Sequence, residues 1–284
     1  MQDSFLQAVI VYSSPAGATR HVAQTISAAL REEGWKQQVV DLEAKDRDSN
    51  LSALQDGMQE GHCLWIGSPV YVWHSVPAIT QFISQLPDTK GSYAVPFVTW
   101  GGVSSGVALH ELGKMLEEKG YTLLGAAKIL AIHSVMMIRS DQPLGKGHPD
   151  TRDDDMIRVL VKKVTASLSH GKTIPLPSDE LKYQPLDFQE KARNMNLTVA
   201  KDMLPRIELN ADLCNQCDIC AQECPVRTIQ LDPLPQSGSD CILCYNCVRL
   251  CPENAFEADL SSIENHIRQL KEQLGERPLS QIFI

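Results

Sequence analysis

Eight of the nine cysteines fall in two copies of one pattern, C-x2-C-x2-C-x3-C-P. The first copy is Cys214, Cys217, Cys220, Cys224 and Pro225. The second is Cys241, Cys244, Cys247, Cys251 and Pro252, each position 27 residues after its counterpart. Three thiolates at this spacing wrap three irons of one [4Fe–4S] cubane, while the fourth cysteine crosses to the neighbouring cluster. The pattern therefore assigns Cys214, Cys217, Cys220 and Cys251 to one cluster, and Cys241, Cys244, Cys247 and Cys224 to the other. Such centres take and pass single electrons at low potential, so electron transfer is the expected chemistry.

Two other uses of cysteine fit less well. Disulfides need an oxidising compartment, and Met1 to Gln7 carries neither a basic segment nor a long apolar one of the kind that directs secretion. Structural zinc usually takes two C-x2-C pairs separated by a longer spacer. Here four thiols crowd into eleven residues with a proline behind them. The ninth cysteine, Cys63, lies in the apolar run His62–Ile66 and is expected to be an inert thiol on a buried strand.

At 284 residues the chain has room for about two domains, one with a substantial core. Its 43% hydrophobic and 21% charged content is ordinary for a soluble globular protein. No apolar run approaches the roughly 20 residues that span a bilayer. A cytoplasmic location is expected, where reducing conditions suit iron–sulfur centres. The formal charge of −9 argues against nucleic acid or an anionic membrane as partner. Between Arg206 and Asp259, nine carboxylates stand against three arginines. That excess reads either as a solvated surface or as steering toward a positively charged redox protein.

The first 150 residues alternate short apolar runs with amphipathic stretches. Strands are predicted at Ala8–Tyr12, Gln38–Leu42, Cys63–Gly67, Ala94–Thr99 and Leu123–Ile132. Helices are predicted at Thr19–Arg31, Ser52–Glu60, Pro77–Leu86 and Val107–Lys119. This alternation implies an α/β fold with a five-stranded, doubly wound parallel sheet. Ligands of such sheets bind outside the carboxyl ends of the strands, where the winding reverses.

Three loops leave those strand ends. Ser13–Arg20 combines hydroxyls and a glycine at a helix start, either a phosphate cradle or an ordinary helix cap. It matches neither a Walker A loop nor G-x-G-x-x-G, which disfavours nucleoside triphosphates and dinucleotides. Gly67–Pro77 carries two aromatics, and Thr99–Gly106 is glycine-rich, allowing close backbone approach. Together they would suit a flat ring with a phosphorylated tail.

At this point residues 5 to about 170 resemble a flavodoxin domain, and residues 206–259 resemble a bacterial two-cluster ferredoxin. The combination is similar to the flavodoxin–ferredoxin fusion family of anaerobic prokaryotes. The family's phosphate loop, roughly S-x-T-G-x-T, falls on Ser14, Ala16, Gly17, Ala18 and Thr19; Ala16 departs from it and removes one hydroxyl, a loss of about 1 kcal/mol. Pro69, Val70 and Tyr71, with Gly101, Gly102 and Gly106, are similar to the two ring-binding loops. The resemblance implies FMN as cofactor, with Trp73 and Trp100 flanking its ring unless they are core or rim aromatics. His74 and His133 could protonate a reduced flavin, although a solvated or core role suits both better. Arg20 is either a phosphate contact or a helix-surface residue. Gly147–Asp150 and Asp153–Asp155 also look like the family and are expected to cap a helix from Met156 to Leu168.

The expected organisation is a flavodoxin-like FMN-binding domain at 1–170, a linker at 171–205, a small α+β two-cluster ferredoxin-like domain at 206–259, and a C-terminal helix and tail at 260–284. The linker is either a passive tether with a helix near Phe188–Met203, or a cover that holds the clusters near a flavin, including that of a second subunit in a homodimer. Leu260–Leu274 is amphipathic through Ile263, Ile267, Leu270 and Leu274. Pro278–Ile284 carries no signal. The expected function is an electron-transfer iron–sulfur flavoprotein serving redox proteins such as a ferredoxin-dependent reductase and its electron source. The alternatives are an FMN-dependent reductase of a quinone or free flavin, and a redox sensor.

Overall fold

The computed structural model describes residues 7–44 and 61–284, so the helix expected over Ser52–Glu60 lies outside it. In chain order, β1 (Gln7–Tyr12) leads into α1 (Ala18–Glu32), then β2 (Lys36–Asp41) and β3 (Cys63–Tyr71). A short β4 (His74–Ser75) precedes α2 (Pro77–Gln85), β5 (Tyr93–Trp100) and α3 (Ala108–Glu118). The run expected as one strand at Leu123–Ile132 divides into β6 (Thr122–Leu123) and β7 (Ala126–Leu130). The break is at Gly125, where a Cβ would lie 2.8 Å from Leu160.

Strands β2-β1-β3-β5-β7 pair in that order, all parallel. The inner strands are buried on both faces, which is why they read as unbroken apolar runs rather than alternating ones. One face packs on α1 and α4 (Thr151–Ser169) through Val22, Ile26, Leu30, Ile157, Leu160 and Val164. The other packs on α2 and α3 through Ile79, Ile83, Leu109, Leu112 and Leu116. Helix α4 starts five residues earlier than the apolar pattern suggests. Asp150 accepts from the Arg152 and Asp153 N–H groups, and Asp153 accepts from the Asp150 N–H, a complete capping box.

The connection after α4 packs tightly. Leu176 and Leu181 are buried in the sheet's second core, and the Leu176 N–H donates to Leu123 O at 2.8 Å. The single helix expected near Phe188–Met203 is two, α5 (Leu186–Asn194) and α6 (Leu197–Met203), because Asn196 turns out of helical geometry and caps α6 through Val199 N–H.

The cysteine-rich part holds two small antiparallel pairs, β8 (Glu208–Leu209) with β11 (Phe256–Glu257) and β9 (Ile229–Leu231) with β10 (Pro235–Ser237). It also holds the short helices α7 (Ile219–Gln222) and α8 (Asn246–Leu250). Helix α9 (Leu260–Leu274) follows and buries Ile263 and Ile267. The chain ends on β12 (Gln281–Phe283), which adds antiparallel to β7 as a sixth strand of the main sheet. A third apolar core joins the two parts, with Val103 and Met136 packed among Tyr245, Val248, Phe256, Ile263 and Ile267. Among the described residues, no helix is long and apolar enough to cross a membrane.

Candidate cofactor sites

The two cysteine motifs repeat in backbone as well as in sequence. Gln216, Asp218 and Arg227 have positive φ of 58°, 62° and 51°, and Leu243, Tyr245 and Asn254 have 59°, 58° and 51°. These are the same three places in each copy. Left-handed residues between right-handed ones turn successive N–H groups to one side, the concavity that suits an anionic cluster. Cys214, Cys217, Cys220 and Cys251 line one small cavity together, beside Pro235 and Phe256. Cys224, Cys241 and Cys247 are neighbours of Cys244, whose buried thiol is pushed up to about 12 mainly by desolvation. Cys220 and Cys224 both act on the Cys247 thiol, so the two sets adjoin. Backbone N–H groups donate to sulfur from Leu243 to Cys241 at 3.4 Å and from Ala255 to Cys251 at 3.2 Å. Cys217 is exposed, whereas Cys63 is fully buried at the start of β3 with its thiol pushed up to about 12 by burial.

A larger cavity opens at the carboxyl ends of β1, β3, β5 and β7, with about 210 Å³ open to the centre of a water molecule. Its floor comes from all three predicted loops. Ser14, Ala16, Ala18 and Thr19 line it, as do Pro69, Val70, Tyr71 and Trp73, and Trp100 with Gly101. Gly17, Gly102 and Gly106 do not line it; they set the turns behind it. Gly17 holds φ +93° just before α1. At Gly106 a Cβ would lie 2.0 Å from Trp73 O, so a glycine is required for the second and third loops to meet.

The first loop leaves two donors at the helix start. The N-cap residue Gly17 has no side chain to cap α1, which leaves the Ala18 and Thr19 N–H groups for a ligand. Ser14 Oγ accepts from Arg20 N–H at 2.8 Å, and the Thr19 hydroxyl meets that of Thr99 at 2.8 Å. Pro15 has no N–H and Ala16 no hydroxyl, so this loop offers fewer donors than the pattern it resembles. Arg20 is held by Asp41 at 2.9 Å. Glu43 accepts from the Ser13 hydroxyl and from Ser14 N–H at 2.7 Å; burial pushes its carboxyl up to about 7.

In the second loop, Val72 and Trp73 both have positive φ, 50° and 70°, in the two-residue turn joining β3 to β4. L residues with bulky side chains rarely occupy that region, so the turn is strained. The Trp73 ring rests against Phe188 of α5 at 5.0 Å. His74 lies outside the cavity lining: its Nδ1 meets Glu111 Oε1 at 2.7 Å, and this partner holds its pKa above the usual value.

In the third loop, the Glu276 carboxylate accepts from the Ser104 hydroxyl at 3.0 Å, Ser105 N–H at 2.8 Å, Lys128 Nζ at 2.8 Å and Gln184 Nε2 at 2.8 Å. Burial alone would raise its pKa, but these donors hold it below the usual carboxylate range. Lys128 Nζ also sits over the Tyr183 and Trp100 rings, at 4.3 and 5.5 Å from their centroids.

Of the two roles expected for the connection, tether or cover, its lining residues fit the cover. Met195, Ala200, Met203 and Leu204 of the connection line the cavity, as do Ile263, His266, Ile267 and Leu270 of α9. Ile242, Leu243 and Tyr245 of the second cysteine motif complete it. The amphipathic face of α9 was legible; which surface it covers was not. His133, on the loop after β7, lines the cavity as well, and burial pushes its imidazole down to about 4, so it is neutral at pH 7.

Trp100 Nε1, His133 Nδ1 and the Tyr245 hydroxyl are buried with no hydrogen-bond partner among the described residues. Each such group costs about 1–3 kcal/mol unless a ligand satisfies it. With the Tyr71 hydroxyl, likewise buried without a hydrogen-bond partner among the described residues, they come from four separate segments that line one largely apolar cavity, next to the N–H groups at the start of α1. This arrangement fits a flat, polar-edged ring with a phosphate, and the cysteine nests fit [4Fe–4S] clusters.

Comparison with known families agrees with this geometry. The flavodoxin domain model matches residues 9–120, and the 4Fe-4S binding domain model matches residues 207–230. The first domain implies FMN and the second a [4Fe–4S] cluster. No curated protein matches the chain significantly. Among solved structures, rubredoxin oxygen:oxidoreductase from the anaerobe Desulfovibrio gigas is similar at 17% identity and TM-score 0.46, over 58% of this chain and 36% of that one. A flavodoxin from the domain Archaea is similar at 19% identity and TM-score 0.43, over 58% and 100%. The flavodoxin of Streptococcus pneumonia TIGR4 is similar at 12% identity and TM-score 0.42, over 57% and 99%.

Proposed function

We propose that this flavodoxin–ferredoxin fusion is an electron carrier in which two [4Fe–4S] clusters and one FMN are wired in series within a single chain. One observation carries the reading: the cavity over the flavodoxin loops is walled on its far side by Ile242, Leu243 and Tyr245, residues interleaved with Cys241, Cys244 and Cys247. Bound there, FMN supplies one- or two-electron storage, and each cubane supplies single-electron steps.

The chain's own residues then set the order. Cys224, Cys241, Cys244 and Cys247 hold the inner cluster, because Cys244 packs against the core beneath the cavity. Cys214, Cys217, Cys220 and Cys251 hold the outer one, with Cys217 exposed to partners. Ser14, Thr19 and the first N–H groups of α1 hold the phosphate, backed by Gly17. Pro69, Val70, Tyr71, Trp73, Trp100 and Gly101 hold the ring, with Gly102 and Gly106 shaping the loops. The roof of α6 and α9 narrows access to the ring from outside. That cover favours a carrier between redox proteins, such as a ferredoxin-dependent reductase and its electron source in a reducing cytoplasm, over a reductase of a quinone or free flavin.

Anaerobic purification with iron, sulfide and flavin analysis, followed by stepwise reduction watched by absorbance and EPR, tests the reading. About eight irons and one FMN per chain are expected, with the flavin reduced by electrons arriving through the clusters. Full iron with no flavin, even after FMN is added, would overturn the relay.

A further inference from the structure

We infer that one turn of the ferredoxin-like part, Tyr245 to Arg249, is itself a piece of the flavin site: Tyr245 for the ring and Arg249 for the phosphate loop. The inference rests on FMN occupying the cavity and goes beyond it, because it places residues from the other end of the chain in the site.

Tyr245 begins α8 in left-handed conformation, φ 58°, between Cys244 and Cys247. Its residue surface is 1% exposed, it lines the cavity, and its hydroxyl is buried without a partner among the described residues. Packing alone would be served as well by phenylalanine, without a stranded hydroxyl. A donor kept at that cost, in a residue that lines the same cavity as Trp100 and His133 with their equally unpartnered Nε1 and Nδ1, marks a place where a ligand's polar edge belongs.

Arg249 stands one helical turn further along, and its N–H donates to Tyr245 O at 2.9 Å. Its Nη2 crosses between the two parts of the chain to Pro15 O at 3.2 Å, and is steadied by Asn246 Oδ1 at 2.9 Å. Pro15 lies in the loop that lacks a hydroxyl at Ala16 and an N–H at Pro15, and where the Glu43 carboxylate takes another donor. A guanidinium brought to this loop supplies charged donors in place of the neutral ones that those changes remove. Both residues are on the short turn that also carries cluster cysteines, so loading the inner cluster and binding FMN support one another through it.

The test uses the full chain with clusters loaded and flavin removed, titrated with FMN and with riboflavin by flavin fluorescence. Tyr245→Phe is expected to weaken both ligands about three- to tenfold, the worth of one hydrogen bond. It should leave iron content unchanged, and should leave or raise the melting temperature of the flavin-free protein, since it removes a stranded polar atom. Arg249→Met is expected to weaken FMN about tenfold or more while sparing riboflavin, which has no phosphate. Unchanged affinities in Tyr245→Phe would overturn the ring contact. Equal losses for FMN and riboflavin in Arg249→Met would make that residue a structural tie rather than a phosphate contact. Failure of the unaltered protein to bind either flavin would instead overturn the underlying FMN reading.

Discussion

At the scale of single residues, the site is marked by groups that stability alone would not keep. Glu43 is the clearest. Its carboxyl is raised from 4.5 to about 7 by burial beside Ser13 and Ser14, near Asp41 and Arg20. Between those two pH values the folded protein holds a proton that the unfolded chain has released. Its stability is therefore fully present below about pH 4.5 and falls as pH rises through 7, by at most about 3 kcal/mol. Glu43→Gln removes that fall. Melting curves of the two proteins should coincide near pH 5 and separate by pH 8, with the variant more stable. Ionised Glu43 also opposes a phosphate on the neighbouring N–H groups, so FMN affinity should weaken through the same window in the native protein and not in the variant. Parallel curves at every pH would show that Glu43 is ionised throughout. The cysteine pattern was legible from spacing alone because most of each motif is a run of near neighbours. The Tyr245 hydroxyl was not, because only its burial distinguishes it from any aromatic between two cysteines.

At the scale of elements, the C-terminal segment locks the third loop of the cavity floor. Glu276 follows α9 and joins Ser104, Ser105, Gln184 and Lys128, while β12 pairs with β7 a few residues later. The Lys128 and Glu276 side chains are 8% and 12% exposed. Removing one member of so buried a pair strands the other charge, so Glu276→Ala should cost about 3–5 kcal/mol. Adding Lys128→Met should recover a good part of it, as measured by urea unfolding. Losses that simply add would show that the two charges are not coupled. The elements of the parallel sheet were predictable because apolar runs and helical periodicity announce them. Three residues of β12 show no period, and Met195–Asn196 divides a helix through one cap; neither leaves a pattern long enough to read.

At the scale of the molecule, the two halves share a core and polar ties across it. Val103 and Met136 pack with Tyr245, Ile263 and Ile267. Arg227 and Arg249 donate to Ala44 O and Pro15 O. Two of the three arginines between 206 and 259 thus face the flavodoxin part, while the nine carboxylates there are all exposed. The outer surface is left strongly acidic, which supports a cationic redox partner. A shared core makes the chain unfold as one unit. Calorimetry of the cofactor-loaded protein should give a single transition with equal calorimetric and van't Hoff enthalpies. Two resolved transitions would mean that the parts are independent and that the roof over the cavity can lift.

The amino-acid sequence alone determined the chemistry that rests on short-range spacing. Two cysteine motifs 27 residues apart, a hydroxyl–glycine loop before a helix, and alternating strands and helices each follow from a few neighbouring residues. Only the tertiary structure decided what lies opposite the flavin loops. The contacts that tie the roof's end of the chain to the loops join residues more than a hundred positions apart, from Pro15 to Arg249 and from Ser105 to Glu276. Such contacts depend on how whole elements pack, and a linear reading of periodicity does not contain that geometry.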